Sequence, residues 1–309
     1  MARPARIEYT GAIYHVISRG NYRKDLFTVG KSGEAFEKSL FEACVKCGWR
    51  LHAYVIMSNH YHLCLETPEG NLVEGMRWLQ GTFGNRFNRF VGGHGHVFQG
   101  RYKALLLEQG DWMVSLVNYI HLNPVRAGIV GIEELRKYRL SSFHQFHKNK
   151  LPKYLERKTF LAQAGFSSGV AGMKNYHHYL NFCEEADTGK KDELQKKFSK
   201  GWAIAGKEKR KALAKELVRM NQTREWGGKE LREINEEKWE FKVVELLANE
   251  GKSEESIIED RKLVSWKKRI AQKMRKETSA TNPWIARRLQ MGDPSHVSRC
   301  ANQKTTYKD

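Results

Sequence analysis

The sequence predicts an α+β fold, in which an antiparallel sheet with flanking helices precedes a mainly helical C-terminal region with a helix-turn-helix. Strand-like segments, rich in β-branched and aromatic residues, all lie before Gln109. Two of these strands follow each other directly, an order that favours an antiparallel sheet over a parallel doubly wound one. After Val130 the composition shifts to helix formers and charged residues, and no long strand is predicted.

The periodicity of apolar residues assigns the elements of this first region. The helix at 32–47 has Phe36, Leu40 and Cys44 on one face and ends at Gly48. The turn-favouring pair Ser58-Asn59 predicts a hairpin. In chain order we expect a strand at 12–18, a helix at 32–47, strands at 49–57 and 60–66, a helix at 71–90, a strand at 97–108 and a helix at 111–126.

The chain of 309 residues is long enough for more than one domain, and we expect three. They are an α+β domain at 1–130, a helical, basic extension at 131–250 and a DNA-binding segment at 251–309. In the last segment, amphipathic stretches at 266–278 and 282–289 are separated by only three residues. This tight break predicts a helix-turn-helix, and Arg287 and Arg288 are its candidate DNA contacts.

The chain is strongly basic, with a formal net charge of +19 and a pI near 9.7. Such a charge favours a polyanionic partner, and nucleic acid is the first candidate. A membrane surface is the second candidate partner. It is disfavoured because the basic residues are spread along the whole chain and not confined to one amphipathic helix.

Neither a membrane-spanning stretch nor the core of a signal peptide is evident, so we expect a cytoplasmic protein. The five cysteines form an odd, scattered set, which predicts reduced thiols. Cys44 and Cys47 have C-x-x-C spacing, but no second pair completes a zinc site, and plain helical positions are expected.

Two motifs indicate a chemical site. His60 and His62 would project from the same face of a strand and could bind one ion. Tyr119 and Asn123 would share a face of a helix. Each motif alone is weak evidence, because strand histidines are often structural and a tyrosine on an amphipathic helix usually packs in the core. Together in a basic chain they suggest phosphodiester cleavage, which needs a Lewis acid and an aligned nucleophile.

Three segments carry a resemblance to a known family. The run MSNHYHL, the segment FNRFVGGHGHVFQGRYKALLLE and the helix NYIHLNPVRAGIV resemble the REP-associated tyrosine transposases, a bacterial branch of the HUH single-strand DNA nucleases. H-U-H denotes histidine, a bulky hydrophobic residue and histidine, and Tyr61 takes the middle position here. The resemblance covers residues 6–130 closely and continues more loosely beyond them.

The resemblance implies a ferredoxin-like HUH nuclease core in a catalytic domain at 1–130. It implies that His60 and His62 bind a metal, and that Tyr119 is the nucleophile that forms a covalent 5′-phosphotyrosine bond. Asn123 takes the place of the third metal ligand, where related insertion-sequence transposases often have glutamine. Such ligands suit Mg²⁺ or Mn²⁺, and imidazoles also accept zinc or nickel. The choice of Mg²⁺ or Mn²⁺ comes from the family.

Several polar and basic residues near these motifs are candidate DNA contacts; they are Arg19, Asn21, Arg23, Arg101 and Lys103. Their alternative role is that of solvated surface groups. Tyr22, Phe98 and Tyr102 could stack unpaired bases or pack the sheet.

The sequence therefore predicts a metal-dependent single-stranded DNA endonuclease and strand transferase that acts on hairpin-forming DNA. One alternative is a DNA-binding regulator that uses the helix-turn-helix and keeps the nuclease fold as a scaffold. Another is a zinc hydrolase without a covalent intermediate. We expect a monomer with Tyr119 acting in cis, although wider insertion-sequence relatives are dimers that share active sites.

Overall fold

The structure is a computed structural model that describes residues 6–220 and 231–302. Its sheet has five strands in the order β2-β3-β1-β4-β5. The strands are β1 (Ala12–Arg19), β2 (Arg50–Ile56), β3 (His60–Thr67), β4 (Lys103–Leu107) and β5 (Ala203–Ile204). The first four strands pair antiparallel, as predicted.

The fifth strand differs from the prediction, because β5 pairs parallel with β4 and makes the sheet mixed. The backbone N–H of Leu106 donates to the carbonyl of Trp202 over 2.9 Å, and that of Glu108 donates to Ile204 over 3.0 Å. Since β5 has only two residues, it has no alternating pattern that sequence reasoning could detect.

Thirteen α-helices lie within the described ranges. In the first part of the chain they are α1 (Ser32–Cys47), α2 (Leu72–Val91), α3 (Asp111–Arg126), α4 (Ser142–Phe146), α5 (Lys158–Gln163), α6 (Val170–Ala186) and α7 (Lys191–Ser199). The others are α8 (Lys207–Met220), α9 (Arg232–Asn249), α10 (Glu254–Glu259), α11 (Ser265–Glu277), α12 (Asn282–Arg288) and α13 (Pro294–Asn302). All five cysteines are free, and Cys44 and Cys47 lie within α1, as predicted.

The sheet carries helices on both faces. Successive residues of β3 point to opposite sides, so Tyr61 and His62 identify the two faces. The Tyr61 ring lies 4.6 Å from the ring of Phe36 in α1, measured between centroids. The His62 ring lies 5.5 Å from that of Tyr119 in α3. The face covered by α3 therefore contains the candidate site.

The first compact unit is Arg6–Ala205, which extends beyond the predicted boundary at residue 130. Chain segments after that boundary are hydrogen-bonded to β2: the backbone N–H of Leu51 donates to the carbonyl of Tyr154 over 2.7 Å. The backbone N–H of Tyr54 likewise donates to the Ser142 hydroxyl over 2.8 Å. These long-range contacts join the predicted extension to the sheet.

The second compact unit comprises the described residues 206–220 and 231–302, so the predicted boundary between residues 250 and 251 falls inside it. Trp239 of α9 and Trp284 of α12 are in ring contact with centroids 5.2 Å apart, and one buried core includes residues from both sides of that boundary. Of the helical extension predicted at 131–250, residues 221–230 lie outside the described residues.

The predicted helix-turn-helix region contains three short helices, α11, α12 and α13, which agree closely with the amphipathic stretches of the sequence. Ile270, Ile285 and Val297, one from each helix, are fully buried in the same core. Residues 303–309 of the predicted segment lie outside the described residues.

Within residues 6–220 and 231–302, no helix combines the length and apolar character needed to cross a membrane.

Candidate active site

The two histidines of the H-U-H motif lie at the beginning of β3. Their register with β1 pairs His60 with Arg19 and His62 with Ile17. The ring centroids of His60 and His62 are 5.1 Å apart, as expected for residues that share one face of a strand.

Hydrogen bonds determine which ring nitrogen of His60 is available to a ligand. Its Nδ1 lies 2.7 Å from Oδ1 of Asn59. Because a carbonyl oxygen can only accept, Nδ1 carries the proton and the neutral ring keeps a lone pair on Nε2. In the described part of the chain, no hydrogen bond occupies Nε2 of His60 or His62. Nε2 is therefore the atom that each ring can offer to a metal.

Burial keeps both rings neutral, which metal coordination requires. Burial, assisted by the charge of Arg19, lowers the pKa of His60 to about 4. Burial, followed by the effects of the neighbouring His60 and His15, lowers the pKa of His62 well below its ordinary value. At neutral pH no proton has to be removed from either ring before an ion binds.

Tyr119 lies in α3 directly against the histidine pair. Its ring is perpendicular to that of His62, at an interplanar angle of 86°. On another side it contacts the ring of Phe198, with centroids 4.8 Å apart. Burial raises the pKa of Tyr119, whereas a hydrogen bond from the Asn123 side chain and the charge of Arg126 lower it. These two residues favour the phenolate form that burial disfavours.

Asn123 lies one helical turn after Tyr119. Its Nδ2 donates to the backbone carbonyl of Tyr119 over 2.7 Å, which fixes the side chain and leaves Oδ1 as the atom that could bind a metal. The end of α3 is held by Arg126, which forms ion pairs with Glu184 at 3.0 Å and Asp187 at 2.7 Å. Among the residues that the structure describes, no three His, Cys, Asp or Glu are grouped to hold a metal.

The first group of predicted DNA contacts lies at the end of β1 and in the turn that follows it, next to the beginning of β3. Arg19 is half-buried opposite His60, and Arg23 is exposed. Asn21 has a local structural role, because its Nδ2 donates to the His96 carbonyl over 3.2 Å. The Asn59 side chain donates to the carbonyl of Arg23 over 3.2 Å, which attaches this turn to the residue before His60.

The second predicted group lies at the beginning of β4. This strand is shorter than the predicted 97–108, so Arg101 precedes it and only Lys103 belongs to it. Arg101 is exposed and Lys103 is half-buried. Phe98 and Tyr102 are buried and pack the sheet region, whereas Tyr22 is 82% exposed. Of the three aromatic candidates, only Tyr22 is accessible for base stacking.

The two arginines of α12 differ in environment. Arg287 is exposed. Arg288 forms ion pairs with Glu240 and Glu254, both at 2.6 Å, and its side chain is only 19% exposed. These contacts give Arg288 a structural role within the second unit and leave Arg287 as the candidate contact.

Sequence reasoning did not identify His15 or Phe198 as parts of the site. His15, in β1, is fully buried, and its Nε2 lies 2.9 Å from Nδ1 of His62. Its Nδ1 lies 2.8 Å from the backbone carbonyl of Phe198. A histidine within an otherwise apolar strand is a weak signal of such a contact. The Phe198 carbonyl, as a backbone atom, has no sequence signal at all.

Comparisons with known proteins show similarity over the first part of the chain. No curated protein matches the chain. A solved REP-associated tyrosine transposase bound to a REP hairpin is similar, with 19% identity, coverage of 47% of this chain and 85% of the other, and a TM-score of 0.40. A candidate transposase from Deinococcus radiodurans R1 has 18% identity, coverage of 41% and 92%, and a TM-score of 0.29. The family model described as IS200-like transposase matches residues 8–123. This matched segment contains both histidines, the tyrosine and the asparagine, so this part of the chain is similar to IS200-like transposases.

Proposed function

We propose that this transposase is a metal-dependent single-stranded DNA endonuclease and strand transferase of the REP-associated type, which acts on hairpin-forming repeats through a 5′-phosphotyrosine intermediate. The observation that carries the proposal is the 5.5 Å separation between the rings of His62 and Tyr119. It combines a nitrogen ligand and a nucleophile in one site, as cleavage of a phosphodiester requires.

The donor set fits a divalent cation. His60 and His62 would bind it through Nε2 and Asn123 through Oδ1, a combination that suits Mg²⁺ or Mn²⁺. When bound, such an ion polarises the scissile phosphate and offsets negative charge that develops in the transition state.

Tyr119 would perform the covalent step. Its Oη loses a proton and forms a bond to phosphorus, the bond from phosphorus to the 3′ oxygen breaks, and that oxygen takes up a proton. In strand transfer, a 3′-hydroxyl attacks the phosphotyrosine, a new phosphodiester forms and Tyr119 is released. Asn123 and Arg126 assist because both lower the pKa of the tyrosine.

We propose that the DNA contacts the first unit through Arg19, Arg23, Arg101 and Lys103, with Asn21 holding the turn between them. Arg23 and Arg101 are exposed. Arg19 pairs with His60, and Lys103 pairs with Ile17, which itself pairs with His62. Phosphate contacts of this kind would position the strand without reading its sequence. We expect a monomer whose Tyr119 acts in cis.

The test uses the full chain with end-labelled single-stranded hairpins from the repeats that flank its gene, in Mg²⁺, Mn²⁺ or EDTA. We expect a covalent protein–DNA adduct on a denaturing gel that requires metal and is abolished by Tyr119→Phe. Tyr138→Phe is the matched control, because its hydroxyl donates to the Ile56 carbonyl outside the site, and it should retain the adduct.

Two other results would support the alternative functions. Binding without adduct or cleavage across a panel of repeats would indicate a DNA-binding regulator that uses the helix-turn-helix region. Cleavage that survives Tyr119→Phe would indicate a metal hydrolase without a covalent intermediate.

A further inference from the structure

A series of buried hydrogen bonds leads from the carbonyl of Phe198 through His15 to His62, one of the two proposed metal-binding histidines. The carbonyl oxygen of Phe198 lies 2.8 Å from Nδ1 of His15, and Nε2 of His15 lies 2.9 Å from Nδ1 of His62. Both imidazoles are buried in the first unit. The two ring nitrogens of His15 and Nδ1 of His62 must therefore find their hydrogen-bond partners within the protein.

The carbonyl at one end fixes the position of every proton in this series. A carbonyl oxygen only accepts, so Nδ1 of His15 must carry a proton. A neutral imidazole has one N–H, so Nε2 of His15 is an acceptor. Nδ1 of His62 must then carry the proton that is donated to His15. The remaining nitrogen of His62, Nε2, keeps its lone pair.

We propose that His15 is a positioning residue which, together with the Phe198 carbonyl, holds His62 in the tautomer and ring orientation that bind the metal through Nε2. This inference rests on the proposed metal-dependent function. His15 would not touch the ion, and it would act only through His62. Partners of this kind raise the affinity of a metal ligand by fixing its tautomer and orientation.

Because of the position of Phe198, two regions of the first unit take part in holding His62. They are the family-matched segment and the helical extension. Phe198 lies at the end of α7, well beyond the family-matched residues 8–123. Its carbonyl accepts from His15, and its ring packs on Tyr119. Phe198, a residue of the helical extension, therefore contacts both His15 and the proposed nucleophile Tyr119.

The first test is the affinity of the full chain for Mn²⁺ without DNA, followed by electron paramagnetic resonance. We expect His15→Phe, which keeps a ring but loses the acceptor, to weaken Mn²⁺ binding about 10- to 100-fold. His15→Gln keeps a carbonyl oxygen that can accept from His62 and an amide that can donate to Phe198, so its affinity should stay close to that of the wild type.

A buried histidine in the same sheet provides the matched control. His52 of β2 is bonded to Glu66 through Nε2 at 3.2 Å and is 1% exposed. We expect His52→Asn to leave Mn²⁺ affinity unchanged. If His15→Phe acted only by loosening the sheet, Mn²⁺ binding would be weakened in both His15→Phe and His52→Asn. That result would contradict the positioning role of His15.

The second test reads the tautomer directly from the ring ¹⁵N chemical shifts of His62 in the metal-free protein. The wild type should show a protonated Nδ1 and a bare Nε2, and His15→Phe should lose this single pattern. A protonated Nε2 in the wild type would overturn the inference even if His15→Phe failed to fold. Unchanged Mn²⁺ affinity in a folded His15→Phe protein would also overturn it.

These outcomes are separable from those of the proposed function. A wild-type chain that binds no Mn²⁺ and forms no adduct would refute the nuclease, whatever the tautomer of His62. If the chain forms the adduct but His15→Phe changes neither the Mn²⁺ affinity nor the tautomer of His62, the nuclease proposal stands. The positioning role of His15 is then refuted.

Discussion

Tyr22 and Arg23 are consecutive residues with a left-handed backbone, at φ values of 54° and 58°. This conformation costs a non-glycine residue about 1–3 kcal/mol, and such strain often lies at functional sites. Here the turn is held by Gly20, whose N–H donates to the carbonyl of Asn59 over 2.7 Å. The strained backbone presents an exposed aromatic ring three residues after Arg19, which pairs with His60 in the sheet.

We expect Tyr22→Ala to weaken binding of a single-stranded hairpin by about 1–3 kcal/mol, the usual contribution of one base stacked on an aromatic ring. Tyr22→Phe should bind like the parent, because it keeps the ring. Fluorescence anisotropy at fixed salt, with all variants in a Tyr119→Phe background that prevents cleavage, would measure the affinity. Equal affinities for the alanine and phenylalanine variants would exclude stacking by this residue.

The neighbouring arginines of α12 give a matched pair for the second unit. Arg287→Gln should weaken binding to duplex DNA and reduce the salt dependence by about one unit of slope, as for a lost phosphate contact. Arg288→Gln should leave that slope unchanged and cost about 1 kcal/mol of unfolding free energy, because its two ion pairs are partly buried. Affinity titrations at several salt concentrations and denaturant unfolding would distinguish them. The reverse assignment of effects would show that Arg288 is the DNA contact.

At the scale of elements, the contact of α2 with Trp49 depends on a glycine. A Cβ placed on Gly75 would lie 2.1 Å from an atom of the Trp49 ring, closer than any real contact. The Trp49 Nε1 also donates to Oδ1 of Asn71 over 2.8 Å, so the indole ring cannot easily move away. Gly75 therefore permits the close approach of α2 to the residue that precedes β2.

We expect Gly75→Ala to destabilise the first unit by about 1–3 kcal/mol, as overpacking does, despite the better helix propensity of alanine. Gly81, also in α2, is the control because nothing lies within 4 Å of its added Cβ. Gly81→Ala should instead stabilise by about 0.5–1 kcal/mol. Urea unfolding of both variants measures these effects. A stabilised Gly75→Ala protein would show that the indole ring can yield.

The sequence predicts elements well where local pattern determines them. The bounds of α1 and α3 match the predicted 32–47 and 111–126, because apolar spacing and the terminal residues are local signals. The prediction fails for β4, which is shorter, because Phe98 forms only an isolated bridge with Gly20. The histidine pair and Tyr119 are recognisable from motifs. The role of His15 depends on a backbone carbonyl 183 residues away, which no local pattern encodes.

At the scale of the molecule, the two compact units differ from the three predicted domains for a similar reason. Composition changes near residue 130, after the last predicted helix of the α+β region, but the contacts of Leu51 and Tyr54 with later segments continue the first unit to Ala205. Composition detects a change of secondary structure, whereas a unit is defined by long-range contacts.

Buried histidines predict how the first unit responds to acid. Burial lowers the pKa of His15 and of His121 to about 3, far below the ordinary value of 6.5. Between these values the unfolded chain binds more protons than the folded one, so stability is lost as pH falls from about 6.5 towards 3. Each histidine contributes up to about 1.4 kcal/mol per pH unit in this window.

Hydrogen exchange of peptides from residues 6–205, measured between pH 7 and 4 and corrected for intrinsic rates, would report this loss of stability. His121→Gln removes one of these buried histidines, and we expect the stability of the variant to fall less steeply with acidification, by about one proton. Its absolute stability should be lower, since Nε2 of His121 lies 2.8 Å from the Ser142 hydroxyl inside the unit. The same slope in the variant and the wild type would refute this account.

The two-residue strand β5 matters when related genes are classified as intact or truncated. It covers the outer edge of β4, and an uncovered edge is a site where chains aggregate. Just before it, Phe198 supplies the carbonyl that His15 contacts. A truncated gene copy that ends between residues 130 and 190 would keep the whole matched segment 8–123 and lack both contributions. Motif searches would classify such a truncated copy as an intact transposase gene. We expect its protein product, however, to aggregate and to bind metal poorly.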